Sequence, residues 1–281
     1  MKNITLRYGL LIIMATCIWM YACKKDSSAT VLPYSLYGAS AIQGQLKINY
    51  NSAYTANPSV FLKINGQVVS NLITSRTPFP GGGYNTNGNN VPIYLSVPLG
   101  VDTVAVVIPK SGTNVDSVVL YKTTVTIPDN SPYTLHIADT MVNATTNKTQ
   151  SLLIKNLINT VNPGFCRFRF VNLIPNLSGV DVYLNGVLIK SNIGYLQATD
   201  TFSVATGLNA PGVPAGSTTA PTPTWAIRVA GASPTSAALA SYASSNGLQS
   251  QFVLTGFFMG YSGATGTRLP YLSFTLDKNQ Y

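Results

Sequence analysis

The sequence predicts an all-β fold, and three observations carry that expectation. The first is composition: of 281 residues 46 % are apolar but only 9 % are charged, against a usual charged share of about 25 %. All eight acids are Asp, and Glu, a strong helix former, is absent. Thr, Val, Ser, Asn, Gly and Tyr dominate instead, a mixture that suits pleated strands and tight turns. The second is patterning. Val60, Leu62 and Ile64 alternate up to Asn65-Gly66, and Val180, Val182 and Leu184 alternate up to Asn185-Gly186. Apolar residues at period two on either side of Asn-Gly are a strong hairpin signal, because a two-residue type I′ turn needs positive φ twice. The third is the lack, beyond residue 40, of any long capped run with the 3.6-residue period of a helix.

Taken in chain order, residues 1–22 read as a signal peptide. Lys2 and Arg7 make a basic start, and residues 10–20 form an apolar run that is too short for a bilayer core of about 30 Å. Met20-Tyr21-Ala22-Cys23 follows. A small residue before Cys, directly after an apolar run, resembles a bacterial lipobox, which implies cleavage before Cys23 and lipidation of its thiol. Two or three acyl chains give permanent anchoring, where a single chain binds only marginally. Lys24-Lys25-Asp26-Ser27-Ser28 resembles the surface-export signal of Bacteroidota lipoproteins. No Asp directly follows Cys23, which favours the outer membrane, with the body facing the cell exterior. Residues 23–40 therefore read as the lipidated Cys and a flexible tether, and the membrane is the first expected partner.

The remainder reads as two copies of one domain, residues 41–160 and 161–281. Val60-Phe61-Leu62-Lys63-Ile64-Asn65-Gly66 lies over Val180-Asp181-Val182-Tyr183-Leu184-Asn185-Gly186. In the same order, Tyr94-Leu95-Ser96-Val97 lies over Thr201-Phe202-Ser203-Val204, Tyr133-Thr134-Leu135-His136-Ile137 over Gln251-Phe252-Val253-Leu254-Thr255, and Ser151-Leu152-Leu153-Ile154 over Leu272-Ser273-Phe274-Thr275. A repeat this long gives autonomous domains rather than a solenoid. Seven or eight short strands per copy, with no intervening helices, point to antiparallel sandwiches rather than parallel sheets. Residues 79–90 and 208–224 are the two long loops.

In the second copy, Arg167-Phe168-Arg169-Phe170-Val171-Asn172, then Pro175, then Val180-Asp181-Val182-Tyr183-Leu184-Asn185-Gly186 resembles the DUF4397 domain family over about residues 165–257. The first copy departs from that pattern, with Phe61 in place of the Asp and Lys63 in place of the Tyr. The resemblance implies tandem Ig-like β-sandwiches on secreted or lipid-anchored bacterial proteins, and it implies no particular activity.

Little in the chain promises chemistry. One histidine, His136, sits in an expected strand, without the neighbouring acids or cysteines that a zinc site or hydrolytic triad uses. Cys166 would need a base to act as a nucleophile. Asp181 has no second acid at hand for a glycosidase pair and reads as a structural acid that bonds a turn or strand. Gly81-Gly82-Gly83 lacks the Gly-Lys-Ser/Thr of a phosphate loop and reads as flexible. Arg167 and Arg169 alternate with Phe168 and Phe170, so the rings face a core and the guanidiniums water. Trp225 shares a face with Ile227 and Val229 and reads as core. The net charge of +9 is spread singly along the chain, without the stripe that nucleic acid selects.

These readings give no catalytic residue, no metal, no cofactor and no nucleic-acid partner. The expected function is a non-enzymatic surface lipoprotein with a binding, adhesion or structural role. A hydrolase is the last of the three readings, and the competing reading ahead of it is glycan capture within a polysaccharide-uptake system. Its carrier is Tyr84, an exposed loop ring among Asn85, Asn87, Asn89 and Asn90, with a glycan or a protein as ligand.

Overall fold

A computed structural model describes residues 43–52, 56–139 and 149–279. The expected signal peptide and tether and the expected lipidation site Cys23 lie outside the described residues. Those described belong to one compact unit and are nearly all strand. Their only helices are three single 3₁₀ turns, and none is long and apolar enough to cross a membrane.

The first half contributes β1 (Gln43–Tyr50), β2 (Phe61–Ile64), β3 (Gln67–Val68), β4 (Thr77–Phe79), β5 (Gly83–Tyr84), β6 (Leu95–Pro98), β7 (Gly100–Pro109), β8 (Asp116–Ile127), β9 (Pro132–Asp139) and β10 (Thr149–Lys155). One sheet has the order β10-β9-β1-β4, with β6 also on β1, and a second runs β3-β2-β7-β8. Their inward side chains close a mainly aliphatic core that includes Leu46, Ile48, Leu62, Ile64, Val104 and Leu135. Burying each such side chain contributes about 1.5–3 kcal/mol.

The second half contributes β11 (Phe165–Asn172), β12 (Val180–Leu184), β13 (Val187–Ile193), β14 (Gln197–Ala198), β15 (Phe202–Ala205), β16 (Thr224–Val229), β17 (Ala240–Ala243), β18 (Val253–Met259) and β19 (Tyr271–Lys278). Its sheets run β14-β11-β18-β19-β5, with β15 on β11, and β13-β12-β16-β17. Its core is aromatic: Phe168, Phe170, Phe258 and Phe274 gather around the fully buried Trp225. The Phe168 and Phe170 centroids lie 4.9 and 5.3 Å from the indole, in tilted and edge-on contacts of the kind aromatic quadrupoles favour.

The sheet orders of the two halves correspond, with β5 the one described strand that has no counterpart. The Asn-Gly hairpins form as their sequence requires, with φ of 50° and 83° at Asn65 and Gly66 and 49° and 82° at Asn185 and Gly186. Each Asn side chain also accepts a bond from the strand beyond the turn, Asn65 from the Thr103 amide at 2.8 Å and Asn185 from the Thr224 amide at 2.9 Å.

The all-β fold is as expected, and three finer points differ from the expectation. Two of the four sheets are wholly antiparallel, and each of the other two holds one parallel pair, β1 with β9 and β11 with β18. In each half the chain's opening strand is inserted beside a late one, where a two-residue turn cannot reach, and strand periodicity carries no mark of that direction. The alignment of Tyr133–Ile137 with Gln251–Thr255 slides by three residues. Leu46 pairs with both Leu95 and Tyr133, and Phe168 with both Phe202 and Leu254, so Tyr133 corresponds to Leu254 and His136 to Phe257. The third is the loop at residues 79–90, which is anchored rather than free. Its β5 adds to β19 of the other half, with Tyr84 opposite Phe274 and Gly83 opposite Thr275.

Candidate functional site

That anchored loop decides the fate of Tyr84. The ring is 8 % exposed and belongs to the aromatic core of the second half. It therefore offers no platform for a sugar, and burial raises its hydroxyl pKa, with minor contributions from Tyr242 and Cys166. The three glycines before it are close-packed, not flexible. A Cβ on Gly82 would lie 1.7 Å from the Asn89 carbonyl oxygen, and one on Gly83 equally near the Phe274 oxygen. The asparagines serve the same anchor. Asn85 donates to the Leu272 carbonyl at 2.7 Å and its own carbonyl accepts from Ser273 Oγ at 2.6 Å. Asn87 donates to the Ser75 carbonyl, and Asn89 accepts from the Gly82 amide.

The other candidates are likewise employed within the fold. Asp181 accepts from the Asn192 amide at 2.7 Å and from the Gly231 amide at 2.9 Å, one carboxylate oxygen each, so it ties its strand to two neighbouring segments. Cys166 is fully buried in the aromatic core, and burial pushes its thiol pKa up, away from the reactive thiolate. Trp225 is core, with its indole N–H donated to the Gly247 carbonyl at 2.7 Å. Phe168 and Phe170 face the core as their alternation requires. Arg169 does not face open water: it is half-buried and donates to the Lys155 carbonyl of the first half at 2.8 Å.

Arg169 leads to the feature that strand patterning did not reveal, a seam where the β1/β9/β10 sheet meets the β11/β18/β19 sheet. Its apolar part combines Ala138 and Ile154 of the first half with Val171, Leu173, Phe257, Met259 and Tyr261 of the second. Its polar part is sealed from solvent. Lys47 is fully buried, lies 3.5 Å from Asp277 and donates to the Leu276 carbonyl at 2.6 Å. Its ammonium sits 4.5 Å from the Tyr94 ring centroid. Burial lowers the Lys47 pKa, and Asp277 works against that fall. Asp277 also accepts from Thr255 Oγ1 at 2.5 Å, Thr275 Oγ1 at 3.2 Å, Asn156 Nδ2 at 3.3 Å and the Tyr94 hydroxyl at 3.4 Å.

The seam has approximate two-fold logic, with equivalent positions meeting across it as in an isologous interface. Lys47 occupies in β1 the position that Arg169 occupies in β11, and each donates to the other half's last strand, at Leu276 and Lys155. These two carbonyls also correspond, since Leu276 pairs with Leu254 and Lys155 with Tyr133. His136 and Phe257, equivalent residues, pack ring to ring at 6.1 Å. His136 Nδ1 bonds the Asn49 amide nitrogen at 3.1 Å. Burial, then the nearby cations Lys47 and Arg169, push the imidazole pKa down to about 3, so the ring is neutral at physiological pH.

Between the sheets at this point lies a cavity of about 10 Å³, lined by Asn156, Arg169, Thr255 and Asp277 among others. That is about the size that holds one water molecule. Among the described residues, Asn156 Oδ1 and Arg169 Nε next to it are buried without a protein partner, and no group of three or more His, Cys, Asp or Glu stands together as a metal site. Larger open grooves occur elsewhere: one of about 330 Å³ runs along residues 71–74, 77–80 and 87–89, with no exposed aromatic ring beside its asparagines. Compared with protein-family models and with curated proteins, the chain matches none.

Proposed function

We propose that the chain is a surface lipoprotein, anchored in the outer membrane by lipid on Cys23, whose body of tandem Ig-like β-sandwiches has a non-catalytic binding, adhesion or structural role. The observation that carries the reading is Met20-Tyr21-Ala22-Cys23 after a basic and apolar leader, followed by a polar stretch of chain. The body supports it. Every side chain singled out for chemistry has a structural employment, with Asp181 tying two amides, Cys166 and Trp225 in the core and His136 in the seam. The repeat of hairpin caps and sheet orders favours a duplicated domain and keeps the DUF4397 resemblance as part of the proposal. Glycan capture loses its one specific carrier with the burial of Tyr84.

The anchor is tested by feeding expressing cells labelled palmitate. The wild type takes up label and Cys23→Ala does not; equal labelling contradicts the anchor. Protease shaving of intact cells then digests a body facing the exterior and spares one facing the periplasm.

A further inference from the structure

We propose that Lys47 and Asp277 are the partners of an intramolecular isopeptide bond that joins β1 of the first half to β19 of the second. Four observations on the seam lead to it. The amine and the carboxyl are sealed together, with both side chains almost wholly inaccessible and Nζ 3.5 Å from Oδ1. Such permanent adjacency replaces a bimolecular encounter, and well-oriented intramolecular reactions reach effective molarities of about 10⁵–10⁸ M. The amine is in the environment that makes a lysine nucleophilic, because removal from water disfavours its charged form.

The carboxyl is set among donors. Thr255 Oγ1 holds Oδ2 at 2.5 Å, while Thr275, Asn156 and Tyr94 donate to Oδ1. The Thr255 donor on Oδ2 is placed to stabilise the negative oxygen of a tetrahedral intermediate, and the three donors on Oδ1 hold the oxygen that leaves. Tyr94 keeps its proton, and with it its bond to the departing Oδ1, since burial and the neighbouring Asp277 raise its pKa. Finally, the condensation must release one water, and the cavity of about 10 Å³ lined by Asp277, Asn156 and Arg169 is the size of one.

The step balances without a co-reactant. The Lys47 ammonium passes one proton to Asp277 Oδ1, which leaves a neutral amine beside a neutral carboxylic acid. The Nζ lone pair attacks Cγ, and Oδ2 carries the developing charge under Thr255. The Cγ–Oδ1 bond then breaks, and Oδ1 departs as water with a second proton from Nζ. The product is a secondary amide, with no change in oxidation state. A linkage here would clamp together residues 47 and 277, 230 positions apart in sequence, and would lock the seam that holds the two halves.

The test is peptide mapping by mass spectrometry of the full chain, purified in its native state, then denatured and digested with trypsin. Lys47 lies alone between the cleavage sites at Lys25 and Lys63, and Asp277 falls in the peptide 269–278. The bond predicts one species in which residues 26–63, uncut at Lys47, are joined to residues 269–278, lighter by one water than the two peptides together. Lys47→Arg retains a cation at the position, as Arg169 does in the other half. It should restore cleavage at residue 47 and release 269–278 as a separate peptide. Wild-type protein that yields 26–47, 48–63 and 269–278 as free peptides of full mass overturns the proposal and leaves a buried ion pair.

Discussion

The two halves share a frame and differ in what fills it. At the hairpin caps they coincide, Asn65 and Asn185 holding nearly the same φ and accepting an amide bond from the equivalent strands β7 and β16. In the cores they diverge within one chemistry: Val104 stands where Trp225 stands, each opposite the residue before its Asn-Gly turn. Both are fully buried, one among aliphatics and the other among phenylalanines. At the seam the divergence is of another kind. Lys47 answers Arg169, His136 answers Phe257 and Asn156 answers Asp277. Two identical halves would place equal residues opposite each other there. These unequal halves place a buried acid next to a buried lysine and a neutral imidazole against a phenyl ring. Turns are held by backbone geometry and cores by apolar volume, whereas an internal seam is free to become complementary.

That contrast can be broken most sharply at the pair Asn156 and Asp277. Asp277→Ala leaves Lys47 buried without its counter-charge, a loss of about 3–5 kcal/mol from the orphaned ion alone. Asn156→Ala removes an uncharged side chain and its bonds to Thr134, Tyr94 and Asp277 and should cost about 1–3 kcal/mol. Urea denaturation of the two variants measures the difference; equal losses would show that charge is not what distinguishes the two positions. The second contrast is Asp181 against Phe61, which occupies the corresponding place in β2. Asp181→Ala strands the amides of Asn192 and Gly231 and should lower stability by about 1.5–3 kcal/mol, read in the same experiment. Loss below a few tenths would mean that water replaces the carboxylate at both amides.

His136 against Phe257 is tested through pH. In the fold the imidazole pKa is depressed to about 3, against an ordinary value of about 6.5 in the unfolded chain. Between these values the unfolded state binds the extra proton, so His136 makes stability fall as pH drops through 6.5 toward 3, by up to about 1.4 kcal/mol per pH unit. His136→Phe installs the residue of the other half and removes that contribution. Its denaturation midpoint should vary less with pH over this window than that of the wild type. Parallel pH profiles would contradict the buried neutral ring.

The legible part of this architecture was local. Asn-Gly with flanking alternation located both hairpins, and the alternation of Phe168 and Phe170 with arginines located a core strand. The composition, without Glu, placed the whole chain among β-proteins. What stayed hidden was long-range. Lys47 sits between Leu46 and Ile48, where alternation assigns it to the outer face of the sheet. That assignment is correct, but the outer face is covered by the other half. Period two distinguishes two faces and says nothing about which of them meets a second sheet. Tyr84 was misread for a similar reason. Gly81-Gly82-Gly83 carries the composition of a flexible loop, yet the glycines are there because β19 and the Asn89 backbone approach too closely for any side chain. One signal was within reach: a cation recurs at the same place in both copies, Lys47 and Arg169, next to core-facing residues.

The central structural claim is that the seam and the β5 anchor make the two halves one cooperative unit. Trp225 is the only tryptophan among the described residues and lies in the core of the second half, so its fluorescence reports on that half. Leu62 is fully buried in the core of the first, and Leu62→Ala should cost about 2–5 kcal/mol. In urea, a coupled unit moves the Trp225 transition of Leu62→Ala to lower denaturant by that full amount. A Trp225 transition that stays at the wild-type midpoint, while the first half unfolds earlier, would contradict the claim.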